Sequence, residues 1–311
     1  MDLPNRLYFI IGCTASGKGA LGRELARRVG GQIISVDSMK VYRRMDIGTA
    51  KPPAEVREQI PHHCIDVVEP WELFSVAQFV ACADRAVADI RAAGAAPLAV
   101  GGASLYIKAL SEGLFEGPGA DGDLREELRR RAAQEGLAAL HEELSRLDPQ
   151  AASRIHPNDQ KRILRALEVR HLTGRPISQL QQQWDAGHRR YDAVMIGLRR
   201  SREDLHRRIN LRVGKMLEQG LVKEVEGLLA DPHGLSDPAA QAVGYAEIIE
   251  FLRGQMSLAK AIEAIKVNTR RLAKRQRTWQ RRWTDVKWFD AAPDEPAQSL
   301  ADRVLAEAKF E

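Results

Sequence analysis

Cysteine is scarce in this chain, and what there is has no order. Cys13, Cys64 and Cys82 make no even framework, and none of their spacings suits a zinc site. That argues against a disulfide-stapled secreted fold and fits a reducing cytoplasm. Long hydrophobic runs are also missing: none approaches the ~20 residues needed to cross a bilayer. The opening "MDLPNRLYFIIG" has too short an apolar stretch for a signal peptide. No membrane partner is expected. There is no internal repeat and no low-complexity tract. Acid is nearly absent from one region. Between Lys266 and Lys287, nine Lys/Arg residues stand against a single Asp285, in a chain whose net charge is only +5. "GLRRSREDLHRRINLR" is nearly as basic. Such a one-sign cluster suggests a polyanionic partner, nucleic acid first. The alternative is a solvated helix face.

The 311 residues suffice for one large domain or two modest ones, each with its own core. Apolar runs at Leu7–Ile11, Ile33–Val36, Ile65–Val68, Leu98–Val100 and Val194–Leu198 predict buried strands. Helical patterns lie between them. The clearest follows Ser75, a predicted N-cap, with Val76, Phe79, Val80, Ala83, Val87 and Ile90 on one face. Alternating strands and helices predict a parallel sheet covered on both faces. The alternation stops near Gly113, at the turn-rich "EGPGADGD". From Leu124 to Trp184 only helical segments appear, one ending at the predicted C-cap Gly174. The expected organisation is an α/β core (residues 1–117 and 191–311) with an all-helical insertion over 118–190.

Behind the first strand, "GCTASGKG" (Gly12, Cys13, Thr14, Ala15, Ser16, Gly17, Lys18, Gly19) nearly spells a phosphate loop, and a helical pattern follows it. Backbone N–H groups and a helix N-terminus would face the anion, and Lys18 adds a full charge. Gly19 replaces the usual Ser/Thr, a direct magnesium ligand in nucleotide hydrolases and kinases. The loop alone therefore leaves kinase, hydrolase and other chemistries open. Asp37 ends the second strand at its carboxyl edge, where an acid can hold magnesium-bound water or take a proton. It could equally cap a turn. "PLAVGGASLYIKAL" sets two glycines after another strand, where a backbone can come close to a ligand.

Taken together, "GCTASGK", "DSMKVYRRMDIGTAKP", "PHHCIDVVEP", "VGGASLYIKAL", "DPQAASRIHPNDQKRILRALEV", "RINLRVGKMLEQGLVKEV", "AVGYAEI" and "TRRLAKRQRTW" resemble the bacterial tRNA dimethylallyltransferases, nearly end to end. The resemblance implies a P-loop NTPase-like sheet with a helical insertion. It also implies transfer of a dimethylallyl group from its diphosphate to N6 of the adenosine just 3′ of the tRNA anticodon. Magnesium would be the cofactor, the anticodon stem-loop the macromolecular partner, and the enzyme a cytoplasmic monomer.

By the same resemblance Asp37 is the base, and Lys18 with the loop grips the diphosphate. Arg212 matches the arginine on the leaving group, with Arg208 the neighbouring candidate. The tRNA contacts would be Asp37, Ser38, Met39 and Lys40; Ala103 and Arg125; Gln160, Lys161, Arg162, Ile163 and Leu164; Gln241, Gly244 and Tyr245; and Lys274, Arg275, Gln276, Arg277 and Trp279. The chain departs from the family pattern at Cys13, Gly19, Lys40 and Ala103, losing two hydroxyls near the substrate. A phosphate-loop kinase is the rival reading, and a non-catalytic RNA-binding relic the third. "HHC" at His62 to Cys64 lacks a second cluster to complete a metal site. Cys13 reads as a buried filler rather than a reactive thiol, and Trp283 and Trp288 read as core.

Overall fold

The computed structural model describes residues 6–114, 117–119, 121–181 and 189–308. Six strands form one parallel sheet: β1 (Arg6–Gly12), β2 (Gly31–Val36), β3 (His62–His63), β4 (Ala96–Gly101), β5 (Asp192–Arg199) and β6 (Lys287–Asp290), in the order β3-β2-β4-β1-β5-β6. Apolar runs suit these strands because a parallel sheet is buried on both faces. In β1 the alternation sends Leu7, Phe9 and Ile11 to one core, shared with Phe79, Val87 and Ile90 of the helix Val76–Ala92. Tyr8 and Ile10 go to the other, with Leu21 and Leu25 of the helix Lys18–Val29. Ser75 caps the helix Val76–Ala92 through a reciprocal box with Gln78.

Two strands differ from the sequence reading. Ile65–Val68 is not a strand of the sheet. The third strand is His62–His63, and the following residues bond instead to the segment after β2, through Asp66 N–H to the Lys40 carbonyl and Val67 N–H to the Val41 carbonyl. A local apolar run cannot reveal which backbone will pair with it. At the other end, β6 was not predicted; its four residues put Trp288 over Gly197, where an added Cβ would sit 2.3 Å from the ring. Trp283 and Trp288 pack against the sheet core.

The chain divides into two compact units, Met1–Ser111 with Tyr191–Glu311, and Glu112–Arg190. The second begins at Glu112 rather than Pro118, and residues 120 and 182–188 of the expected insertion lie outside the described residues. Its helices Gly122–Gln134, Leu137–Leu147, Pro149–Arg154, Gln160–Thr173 and Ile177–Leu180 close over a core of Leu128, Leu140, Leu144, Ile163 and Leu167. Gly174 ends the fourth of these with φ 68, as a left-handed C-cap. In the first unit a further core gathers Val41, Tyr42, Met45, Ile209, Val213 and Tyr245 beside the sheet.

Candidate active site

The register aligns Ile11 and Val36 with Gly101, and Gly12 with Leu198, so four strands end level with one another. The phosphate loop, Asp37, the Gly101-Gly102 pair and Arg200 therefore share one edge. Ligands bind at that edge in open α/β sheets. Gly101 is required there: an added Cβ would fall 2.0 Å from the Val36 carbonyl oxygen.

The loop is shaped by positive φ at Ala15 and Gly17 and by side chains that take its carbonyls. Lys18 Nζ donates to the Cys13 carbonyl at 3.2 Å, Arg208 Nε to Ala15 at 2.9 Å, and Arg200 Nε to Ser16 at 2.6 Å. Arg212 Nη1 donates to Thr14 Oγ1 at 3.1 Å. With carbonyls so engaged, the N–H groups of Ala15 and Gly17 make no hydrogen bond among the described residues. These N–H groups and the adjacent cations form an anion cradle.

Charge at the cradle is lopsided. Burial, then the charge of Arg212, pushes Lys18 down to about 8. Burial also lowers Lys40, and it lowers Arg212 with help from Arg208. Asp37 is the carboxylate whose charge reaches Lys18, Lys40 and Arg212. Its Oδ1 accepts from Met39 N–H at 2.9 Å and Lys40 N–H at 3.4 Å, while Oδ2 has no partner among the described residues. One oxygen holds the carboxylate in place and the other is available. A cavity of about 650 Å³ opens from Ala15 and carries both characters that a charged-headed apolar molecule needs. Arg208 and Arg212 line it together with Ile47, Leu211 and Met216.

Several residues expected at the site do other work. Tyr245 is fully buried; its hydroxyl donates to Glu224 Oε1 at 2.6 Å, and Glu224 in turn accepts from the N–H groups of Asp46, Ile47 and Gly48. Gly48 lies on the Tyr245 ring, 2.4 Å from where a Cβ would be. Tyr245 therefore holds the 46–48 turn through Glu224. Gly244 starts the helix Tyr245–Leu252, its N–H bonded to Glu247. Ile163 and Leu164 are buried in the helical unit, while Gln160, Lys161 and Arg162 beside them are exposed. Arg125 is bonded through two nitrogens to buried Glu168. Gln276 bonds inward, accepting from Thr14 N–H at 2.7 Å and donating to the Gly102 carbonyl at 2.9 Å, so it ties the loop to β4. Lys274, Arg275 and Arg277 are exposed, Trp279 and Ala103 are half-buried, and Gln241 is exposed. Ser38 and Met39 are half-buried beside Asp37.

Sequence reasoning missed Arg200, whose guanidinium is buried against Asp204 at 2.9 Å as well as the loop. It was legible only as one more charge of a basic run. Burial pushes the Cys13 thiol up, consistent with a filler. Burial holds His62 at about 4, and no group of three His, Cys, Asp or Glu able to take a metal occurs among the described residues.

Comparison with known proteins decides the family. The model of the IPP transferase family matches residues 40–283. The chain belongs to that family. It is 48% identical over 285 residues to a tRNA dimethylallyltransferase of Geobacter metallireducens, covering 92% of each chain. It is 45% identical over 298 residues to the enzyme of that name from Geobacillus thermodenitrificans, covering 94% of this chain and 93% of the other. Among solved structures it resembles the tRNA isopentenylpyrophosphate transferase of Bacillus halodurans, with TM-score 0.70 and 40% identity over 97% of this chain and 96% of that one. A eukaryotic dimethylallyltransferase acting on tRNA matches with TM-score 0.78 and 27% identity, over 97% of this chain and 76% of that one. An IPP transferase fold thus accounts for both the sheet and the helical unit. No helix among the described residues is long and apolar enough to cross a membrane.

Proposed function

We propose that this chain transfers the dimethylallyl group of dimethylallyl diphosphate to N6 of the adenosine just 3′ of the anticodon in tRNA. The observation that carries the reading is the pairing of an uncompensated cation cluster with one half-free carboxylate. As the allylic C–O bond breaks, negative charge grows on the diphosphate. Lys18, Arg212, Arg208 and the loop N–H groups are placed to receive it; preorganised donors of this kind are worth about 10²–10³ in rate each. As N6 bonds to the allylic carbon it must lose a proton, and Asp37 Oδ2 is available to take it. The apolar lining of the cavity suits the isoprenoid.

The target adenosine has to leave its stack before N6 can reach that carbon. Exposed Lys274, Arg275 and Arg277 suit the tRNA backbone, as do Gln160, Lys161 and Arg162 of the helical unit.

Magnesium fits this donor set in one way. The side-chain place at Gly19 is open, with Arg23 Nη1 3.6 Å away, and offers no hydroxyl. Magnesium commonly rests on one or two carboxylates plus substrate phosphates and water. Asp37 would hold the ion only through a bound water, leaving Oδ2 for the proton, and the ion would offset charge on the departing diphosphate.

Incubating the protein with labelled dimethylallyl diphosphate, ATP and unmodified tRNA tests the reading. Label should enter tRNA without ATP turnover; phosphoryl transfer from ATP instead would make it a kinase, and neither would leave an RNA-binding relic. Asp37→Asn should keep tRNA binding and lower the single-turnover rate by roughly two orders of magnitude or more. A rate near wild type would remove Asp37 from its role.

A further inference from the structure

Cys64 and Cys82 lie 18 positions apart in sequence, and their Sγ atoms stand 3.4 Å apart. Both are free thiols. Cys64 sits just after β3 in a turn with φ 59 and is buried; Cys82 is half-buried on the helix Val76–Ala92. A disulfide needs an S–S length of about 2.05 Å, so bonding asks the sulfurs to close by little more than about 1 Å. The transfer reaction has no use for either group.

The two sulfurs are not equivalent. The Cys64 thiol donates to Cys82 Sγ, and this contact, opposed by burial and aided by Arg85, holds the Cys82 thiol below its ordinary range. The same contact and burial push Cys64 up. The more exposed sulfur is therefore the readier thiolate, and the buried one waits beside it. A thiolate reacts with small-molecule disulfides in proportion to its ionised fraction and its access.

We infer that Cys64 and Cys82 are a modification site, a dithiol that a small-molecule disulfide of the glutathione class converts into an intramolecular disulfide. The Cys82 thiolate attacks one sulfur of the oxidant, forming a mixed disulfide and expelling one glutathione thiolate. Cys64 then attacks Cys82 Sγ, expelling the second glutathione thiolate, which takes up the Cys64 proton. The two cysteines lose two electrons and the oxidant is reduced to two thiols. The new bond would pin the turn after β3 to the helix Val76–Ala92. Two residues along that turn, Asp66 N–H bonds the Lys40 carbonyl at 3.2 Å, so the pinned turn abuts the segment that carries Asp37.

The inference rests on sulfur geometry and not on the prenyl-transfer reading. Its test uses the intact chain, incubated with oxidised glutathione under native conditions, then alkylated after unfolding and analysed by mass. The expected wild-type product has lost two hydrogens, keeps Cys13 as its one alkylatable thiol, and yields a peptide linking Cys64 to Cys82. Dithiothreitol should restore all three thiols. Cys64→Ala should stop at a glutathione adduct on Cys82, and Cys82→Ser should form neither product. Three persistent thiols in the wild type, a stable adduct without the link, or a link through Cys13 would each overturn the inference.

Discussion

In the helical unit, Arg125 and Arg165 converge on buried Glu168, and Arg131 bonds Glu135 and Glu143. Around the phosphate loop, Lys18, Arg23, Lys40, Arg208 and Arg212 include no residue with a carboxylate in salt-bridge reach among the described residues; the contacts of Lys18, Arg208 and Arg212 are to carbonyls and a hydroxyl. The residue types are the same and the accounting is opposite. Arginines whose charge is met inside the fold are part of its structure. Cations that outnumber the carboxylate near them, Asp37, repel one another, which is why Arg212 helps to lower Lys18. That repulsion is relieved when an anion arrives from outside. A basic count in the sequence is blind to this difference, because it depends on where the acids fold to.

The largest effect expected from this contrast is on Lys18. Lys18→Met should lower single-turnover transfer by about 10²–10³ while leaving the melting temperature unchanged or slightly raised. Burial opposes the charge of Lys18, so removing that charge relieves the fold. A variant that loses stability along with activity would place Lys18 with the structural arginines.

Glu168→Gln should do the reverse. Burial alone would raise the Glu168 pKa, but hydrogen bonds from Arg125, Arg165 and Asp121 N–H outweigh it, and the net shift is downward. Leaving a fully buried charge unpaired costs about 3–5 kcal/mol; here the arginines left behind are partly exposed and can regain water, so the expected loss is smaller. The helical unit should unfold at lower denaturant, followed by proteolysis within 112–190. The pH sign is fixed too: a depressed carboxylate contributes stability above its unfolded pKa of about 4.3 and loses it as pH falls through the folded value. An unchanged denaturation midpoint would put Glu168 outside the stabilising network.

A smaller effect is read in pH. With Lys18 at about 8 in the free protein, an anion that needs it charged must bring in a proton above that pH. The Lys18 contribution to pyrophosphate affinity, with the ligand's own ionisation allowed for, should be constant below about 8 and fall by up to roughly tenfold per unit above it, until the raised pKa of the complex is passed. Calorimetry in buffers of different ionisation heat would count the proton. A flat affinity from neutrality to pH 10 would show that Lys18 is not in contact with the anion.

Much of this was open to the sequence and some of it was closed for a physical reason. Four strands, the loop, the Ser75 cap and the position of Asp37 depend on short-range patterns: apolar runs, glycines, and a capping residue three positions from its partner. The inward role of Gln276 depends on a bond spanning 262 positions, and the Tyr245–Glu224 bond serves a turn nearly 180 residues away. The Cys64–Cys82 contact needs a turn to meet a helix face. Spacing carries no trace of such meetings. His62–His63 illustrates the same limit at short range: the strand is chosen by the edge it can pair with, and the more apolar Ile65–Val68 is left to the neighbouring segment.

The smallest expected effect concerns Gly19, where the loop loses its hydroxyl. The backbone there is ordinary helix, within Lys18–Val29, and an added Cβ would meet only Arg23 Nη1 at 3.6 Å, an ordinary contact with a flexible side-chain end. Threonine therefore fits, and over glycine it gains a few tenths of a kcal/mol in helix propensity. Gly19→Thr should keep the fold and leave transfer equal to or up to several-fold faster, with half-maximal activity reached at lower magnesium, because a protein oxygen is added where phosphate loops hold that ion. Titrating transfer against magnesium for both proteins measures it. Arg23 makes the outcome informative in the other direction as well. If its guanidinium already occupies the place of the cation, a threonine would crowd it, transfer would drop, and the magnesium dependence would stay as it was. The open cation cluster would then be complete without a metal ligand from the loop, and the contrast with the acid-matched helical unit would be sharper than the family pattern implies.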